Sequence, residues 1–185
     1  MRELEENRVR GVAHWGRGVD TERFHPSKRS SELRREWLLE GEKKRGNAGD
    51  ATDLEGRRTI VGFVGRLAAE KSVERMAALN GRDDVQLVIV GDGPEMDDLK
   101  SRMPTAVFTG GLYGEDLAHA FASLDIFVHT GQYETFCQAI QEAQASRVAT
   151  IGPAAGGPID LIKPGHNGYL LNVCLLYTSP SPRDG

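Results

Sequence analysis

The stretch ETFCQAIQE, residues 134 to 142, sets two glutamates eight positions apart with no other charge between them. The residues after Glu134 read as the first turns of an amphipathic helix. On a helix, that spacing puts the carboxylates roughly 12 Å apart along the axis and about 80° apart around it. A retaining glycosidase needs its two carboxylates at about 5 Å, so this pair does not suit hydrolysis. Thr135 reads as the N-cap, which leaves the amides of Phe136, Cys137 and Gln138 in the first turn as an anion site made of backbone. A glutamate just outside that mouth repels phosphate and accepts hydrogen bonds from hydroxyls instead. The set suits a ligand with hydroxyls at both ends and phosphates in the middle, the layout of a nucleotide sugar. The competing reading is that Glu142 is a solvated helix glutamate.

A second group of residues suits the same chemistry. In GRLAAEK (65–71), Arg66 and Lys71 follow an apolar run. An arginine that can chelate oxygens and a lysine that acts as a compact charge fit a diphosphate, unless both are simply solvated. GDGPEM (91–96) resembles a dinucleotide fingerprint, but Met96 stands where the third glycine belongs, which leaves a tight turn and argues against NAD. GPAAGGPID (152–160) reads as a further helix-mouth loop in which Gly156 and Gly157 let backbone approach a ligand. His129, at the end of an apolar run, fits a structural hydrogen bond as well as a ligand contact. Cys137 at a helix N-terminus is expected to have a lowered pKa. With no partner histidine nearby in sequence, it is assigned no chemistry.

These residues need a scaffold, and the spacing of apolar residues predicts one. A helix is expected over 27–39, capped by serines, and a loop over 41–58 that includes the basic run GEKKRG. Short β-branched runs predict strands at 59–65, 85–91, 106–110, 125–130, 147–153 and 168–172. Helices are expected between them at 71–81, 94–103, 115–123, 135–146 and 158–165. Alternation of this kind gives an α/β fold, a Rossmann-like, doubly wound parallel sheet with right-handed crossovers and its ligand at the carboxyl ends of the strands.

Composition narrows the partners. With 39% apolar and 27% charged residues, the chain is built as a globular domain. A net charge of -4 with no dominant basic block excludes a nucleic-acid role. The two cysteines form neither a disulfide framework nor a zinc spacing, which fits a reducing, cytoplasmic setting. The N-terminus is charged where a signal peptide would be apolar, and no apolar run approaches the ~20 residues of a membrane span. Both ends read as cut. Residues 1–26 are expected to be the remnant of a preceding domain and its linker, and 27–173 a truncated ligand-binding domain. The tail at 174–185 is expected to be an artefact, since Cys174 to Asp184 matches a sequencing-library adapter codon for codon.

Five motifs in order (GRLAAEK, VGDGP, FTGGL, Glu134 with Glu142, and AAGGP) resemble the donor-binding, C-terminal half of a GT-B glycosyltransferase of family 4. RGVDTERFHP resembles the segment linking the two halves. The likeness covers residues 8 to 172, and VHTGQYETFCQAIQEA is most similar to bacterial GDP-mannose-dependent α-mannosyltransferases. The resemblance implies hexosyl transfer, specifically mannosyl transfer from GDP-mannose as the nucleotide-sugar donor, with retention of configuration, to a glycolipid or glycan. It implies no metal and no cofactor in this site. Arg66 and Lys71 would hold the diphosphate and stabilise the leaving charge. Glu134 would bind donor-sugar hydroxyls beside Phe136, Cys137 and Gln138. Glu142 would hold the ribose, and Gly65, Gly111 and Leu112 would be loop contacts.

No catalytic residue is assigned, and the 185 residues alone are expected to be inactive, with the acceptor domain absent and membrane association confined to the intact enzyme. The alternatives are a non-catalytic nucleotide-sugar-binding module and a GT-B sugar-nucleotide epimerase; a chain without a stable fold is the third outcome. Four positions depart from the family pattern. Cys137 and Arg147 stand where glycine is usual, Ala149 where proline is, and Gln144 where an apolar residue is. A rearranged helix end and a buried polar cost are expected there.

Overall fold

The computed structural model describes residues 18–47, 54–132 and 136–172. Residues 1–17 of the remnant expected over 1–26 lie outside them, as do the tail expected over 174–185, Glu134, and Thr135, the expected N-cap of the following helix.

The chain runs α1 (Ser31–Arg45), β1 (Thr59–Val64), β2 (Val85–Val90), α2 (Met96–Arg102), β3 (Val107–Gly110), α3 (Gly114–Ser123), β4 (Ile126–Val128), α4 (Gln138–Ala145), β5 (Ala149–Pro153), α5 (Pro158–Leu161) and β6 (Gly168–Leu171). Short 3-10 turns lie at Pro26–Lys28, Ala69–Lys71 and Val73–Leu79. The six strands form one sheet in the order β3-β2-β1-β4-β5-β6, and every neighbouring pair is parallel. This is the doubly wound α/β order that the alternation of strands and helices predicts.

Two-sided burial follows from the strands themselves. Ile60, Val88, Val90 and Phe127 point to one face, where Trp37 and Leu38 of α1, Phe121 of α3 and Ile140 of α4 cover them. Val61, Phe63, Leu87 and Ile89 alternate with these and point to the other face, covered by Val73, Met76, Leu99 and Met103. Side chains along a strand alternate faces, so a strand apolar at every position must be covered on both sides. The chain therefore leaves β1 and β2 toward one face and β3 and β4 toward the other. β1 and β4 are neighbours, and a crevice opens between the turns that follow them.

Three expectations about local structure are corrected. The segment expected as a helix over 71–81 is a 3-10 turn at Val73–Leu79, because Ser72 sits at φ 50 and breaks the run from the turn before it. With three residues per turn, Val73 and Met76 fall on the same side, and both are buried. The basic run GEKKRG is not a loop: α1 continues to Arg45 and closes on Gly46 at φ 78. Its cations tether the helix to the sheet. Lys44 Nζ donates to the Ala106 carbonyl at 2.7 Å, and Arg45 donates to the Val85 carbonyl at 2.9 Å and to Gln86 Oε1 at 2.6 Å. Three cations in the last turn also face the negative end of the helix dipole.

The third correction concerns the end of α4. Arg147 takes the left-handed conformation a glycine would take, at φ 57, so the cap is not rearranged; it carries strain of about 1 kcal/mol. Val148 N still reaches the Ala143 carbonyl at 2.9 Å. Gln144 is not left with a bare amide, since its Nε2 donates to the Leu161 carbonyl at 3.1 Å and to Thr150 Oγ1 at 3.3 Å.

Segment 18–30 is fastened to the same body. Phe24 is buried edge-on against Phe121, with ring centroids 5.7 Å apart. Lys28 pairs with Glu115, and the Lys28 carbonyl is bonded by His119 Nδ1 at 2.7 Å. Arg29 donates to the Ala122 and Leu124 carbonyls and to Asp125.

Candidate functional site

At the carboxyl ends of the strands lies a cleft of about 720 Å³. Each wall is a strand-to-helix turn. Gly65, Arg66 and Lys71 come from the turn after β1, and Gly91, Asp92 and Gly93 from the turn after β2. Gly111, Leu112 and Tyr113 follow β3, His129 follows β4, and Cys137, Gln138 and Glu142 come from the mouth and second turn of α4. Eight of the ten site residues expected from the sequence thus line one cavity, although 77 positions separate Gly65 from Glu142. Phe136 does not line it and is about half exposed. Glu134 lies outside the described residues. Gly156 and Gly157 do not line it either.

The glycines of VGDGP hold the turns against one another. A Cβ on Gly91 would lie 1.8 Å from the Gly65 carbonyl oxygen, and Gly91 also has φ 141. Leu67 N donates to the Asp92 carbonyl at 2.9 Å, and Glu95 N returns to the Leu67 carbonyl at 3.1 Å. The tight turn read from GxG is therefore a backbone junction between the β1 and β2 turns. Gly91→Ala forces that junction apart and strains the backbone. We expect a loss of about 2–3 kcal/mol in urea unfolding, with the cleft's β1 wall displaced.

The mouth of α4 differs from expectation. The helix begins at Gln138, and Cys137 is its N-cap residue at φ 43. The Ile140 and Gln141 amides return to the Cys137 carbonyl, so the amides of Gln138 and Ala139, and not those of Phe136 and Cys137, stand at the mouth. Cys137 itself is buried, and burial pushes its thiol up to about 11 despite nearby Lys71. The lowered pKa expected of a helix N-terminus is overruled because desolvation of the thiolate is the larger effect.

Two groups in the cleft have charge states set by burial. Glu142 is pushed up to about 7 by desolvation, against a hydrogen bond with the Gln138 side chain. His129 is pushed down to about 4, first by burial and then by Lys71. His129 is 6% exposed, and its Nε2 has no hydrogen-bond partner among the described residues. The residue was singled out in the sequence, yet nothing there could show that it lines the cavity. Its place is fixed by long-range bonds: its amide donates to the Ile151 carbonyl at 2.7 Å, the next residue's Thr130 Oγ1 donates to the Lys71 carbonyl, and Arg75 donates to the Thr130 carbonyl at 3.2 Å.

Among the described residues no cluster of three His, Cys, Asp or Glu side chains could hold a metal ion. No described helix is long and apolar enough to cross a membrane.

Residues 45–174 match the family model described as glycosyl transferases group 1. Over 171 residues the chain is 58% identical to a GDP-mannose-dependent alpha-mannosyltransferase of Corynebacterium glutamicum, covering 92% of this chain and 38% of that protein. The chain thus spans about two fifths of the length of the curated relatives it matches. Among solved structures, Anabaena Alr3699/HepE in complex with UDP and glucose superposes with a TM-score of 0.62 at 22% identity, over 84% of this chain and 41% of that one. The C-terminal domain of a glycosyl transferase group 1 family protein (LpcC) from Francisella tularensis gives 0.57 at 24% identity, over 84% of this chain and 80% of that domain. At these identities the two structures show a shared fold.

Proposed function

The chain belongs to the group 1 glycosyl transferases, and from that premise we propose that its cleft binds the nucleoside-diphosphate half and the sugar of a GDP-mannose donor for retaining mannosyl transfer to a glycolipid or glycan. The observation that carries this reading is the convergence of Arg66 and Lys71, from the turn after β1, with the mouth and Glu142 of α4 on one cavity. Two cations on the β1 wall supply charge for a diphosphate. The Gln138 and Ala139 amides at the α4 mouth add donors aimed at an anion. Glu142, one turn farther along α4, offers carboxylate oxygens to a pair of ribose hydroxyls. In transfer, the negative charge that grows on the leaving diphosphate would be met by Arg66 and Lys71, groups already in place before the bond breaks. The acceptor would meet the sugar from the open side of the cleft. Identity of 58% to a GDP-mannose-dependent relative supports guanine over uracil and mannose over other hexoses.

The test is calorimetric titration of the chain with GDP and with UDP, followed by Lys71→Ala. We expect GDP to bind at least tenfold tighter than UDP, and Lys71→Ala to weaken GDP by about tenfold, as loss of one charge-assisted contact would. Equal affinity for both nucleotides would overturn the guanine assignment. Binding of neither would overturn the donor site.

A further inference from the structure

We propose that His129 is a specificity-determining contact of the donor site, whose bare Nε2 accepts a hydrogen bond from a hydroxyl of the transferred sugar. The inference rests on the donor-site reading above and adds to it a residue to which that reading gives no task.

Three observations carry it. His129 lines the cleft, is 94% buried by its 6% exposure, and keeps Nε2 without a partner among the described residues. A buried ring nitrogen left bare costs stability, so such groups are rare unless something outside the chain completes them. Second, the Gly131 backbone favours a proton on the ring, and since Nε2 has no partner it is Nδ1 that is turned to that backbone. The ring N–H therefore faces that backbone, and Nε2 is left as a lone-pair acceptor. Third, burial and the neighbouring Lys71 disfavour a second proton on the ring, so the imidazole is neutral.

An acceptor in a cationic cleft discriminates between parts of the donor. Phosphate oxygens are acceptors too, and would meet Nε2 lone pair against lone pair. A hydroxyl has the hydrogen that this position lacks. The ribose is already assigned to Glu142, on a different element, whereas His129 is clamped to the Lys71 turn through Thr130. The hydroxyl beside that turn belongs to the sugar on the far side of the diphosphate.

The test compares GDP with GDP-mannose, and UDP with UDP-glucose, by calorimetry on the chain carrying His129→Leu or His129→Gln. Leucine removes the acceptor; glutamine retains an oxygen acceptor near the position of Nε2. On the nucleotide pair that the unsubstituted chain prefers, we expect His129→Leu to weaken the sugar nucleotide about tenfold while the free diphosphate stays within twofold. His129→Gln should recover most of the loss. Equal weakening of sugar nucleotide and free diphosphate would overturn the proposal and assign His129 to the nucleotide. No change in either would make it a core histidine only, and a glutamine variant as weak as the leucine one would exclude an acceptor role. Failure of the unsubstituted chain to bind any of the four would overturn the donor-site reading and this inference together, which sets that failure apart from the others.

Discussion

Asp125→Ala lowers the stability of the domain by about 3 kcal/mol, because it strips a buried arginine of its partly exposed carboxylate partner. Asp125 immediately precedes β4 and holds together three separate parts of the chain. Its carboxylate receives Arg29 at 2.6 Å, Arg34 at 2.9 and 3.2 Å, and the Ile60 amide of β1 at 2.8 Å. Arg34 is only 6% exposed, and without Asp125 it keeps the Ser123 carbonyl at 2.8 Å and a glutamate, Glu55, at 3.7 Å. The cost arises because a buried guanidinium and a strand amide are left short of an acceptor, not because a surface attraction is lost.

Burial alone would raise the Asp125 pKa, but the hydrogen bonds from Arg29, Ile60 N and Arg34 outweigh it and hold the carboxyl below its ordinary value of 3.8. A group with a depressed folded pKa stabilises above its unfolded pKa, and that contribution disappears as pH falls through the folded value. The gap between Asp125→Ala and the parent should therefore be full at pH 7 and shrink below pH 4. Urea melts at pH 7 and 3 measure it. A gap that does not change would mean that Asp125 is ordinary in the folded state.

Glu142→Gln weakens GDP by about 10–100-fold and at the same time stabilises the empty domain above pH 7. Both effects come from one half-buried carboxylate. Desolvation lifts its pKa to about 7 from 4.5, so ionised Glu142 is disfavoured in the fold. A carboxyl whose folded pKa is raised is held protonated by the fold, and stability falls as pH rises from about 4.5 through 7. Glutamine removes that loss, and we expect a gain of about 1 kcal/mol at pH 8 after discounting for solvent that still reaches the group.

Binding shows the opposite dependence. On the proposed role of Glu142, ribose hydroxyls would donate to the charged form, so GDP affinity should rise between pH 6 and 8 and level off above. GDP's own phosphate titrates near pH 6, and the glutamine variant sees that titration alone, which makes it the control. Calorimetry across that range decides. A glutamine variant with the parent's pH slope would remove Glu142 from the nucleotide site.

Much of this was legible in the sequence because it depends on local periodicity. Strands apolar at every position, such as VQLVIV at Val85–Val90, require cover on both faces, and that requirement with short alternating helices leads to a parallel doubly wound sheet. The GRLAAEK turn and the helix through QAIQE (138–142) were readable for the same reason: each is a short run set by local pattern.

What escaped was whatever depends on partners far along the chain. The basic run 41–46 looks like solvated loop until Ala106, Val85 and Gln86 are brought beside Lys44 and Arg45. The helix over 71–81 fails because φ 50 at Ser72 suits the packing of Val73 and Met76, an advantage absent from local propensity. Cys137 illustrates the competition most directly. A helix N-terminus lowers a thiol's pKa, but the sheet buries this one, and desolvation wins.

The sequence by itself determined which residues stand at the carboxyl end of each strand, since strand length and the following turn are local properties. Only the tertiary structure decided that those ends share a cavity, that the α4 mouth begins at Gln138, and that His129 faces inward with a bare nitrogen beside Lys71. The physical reason is the strand order: β1 and β4 become neighbours only when the chain returns across the sheet, and no run of adjacent residues records that return.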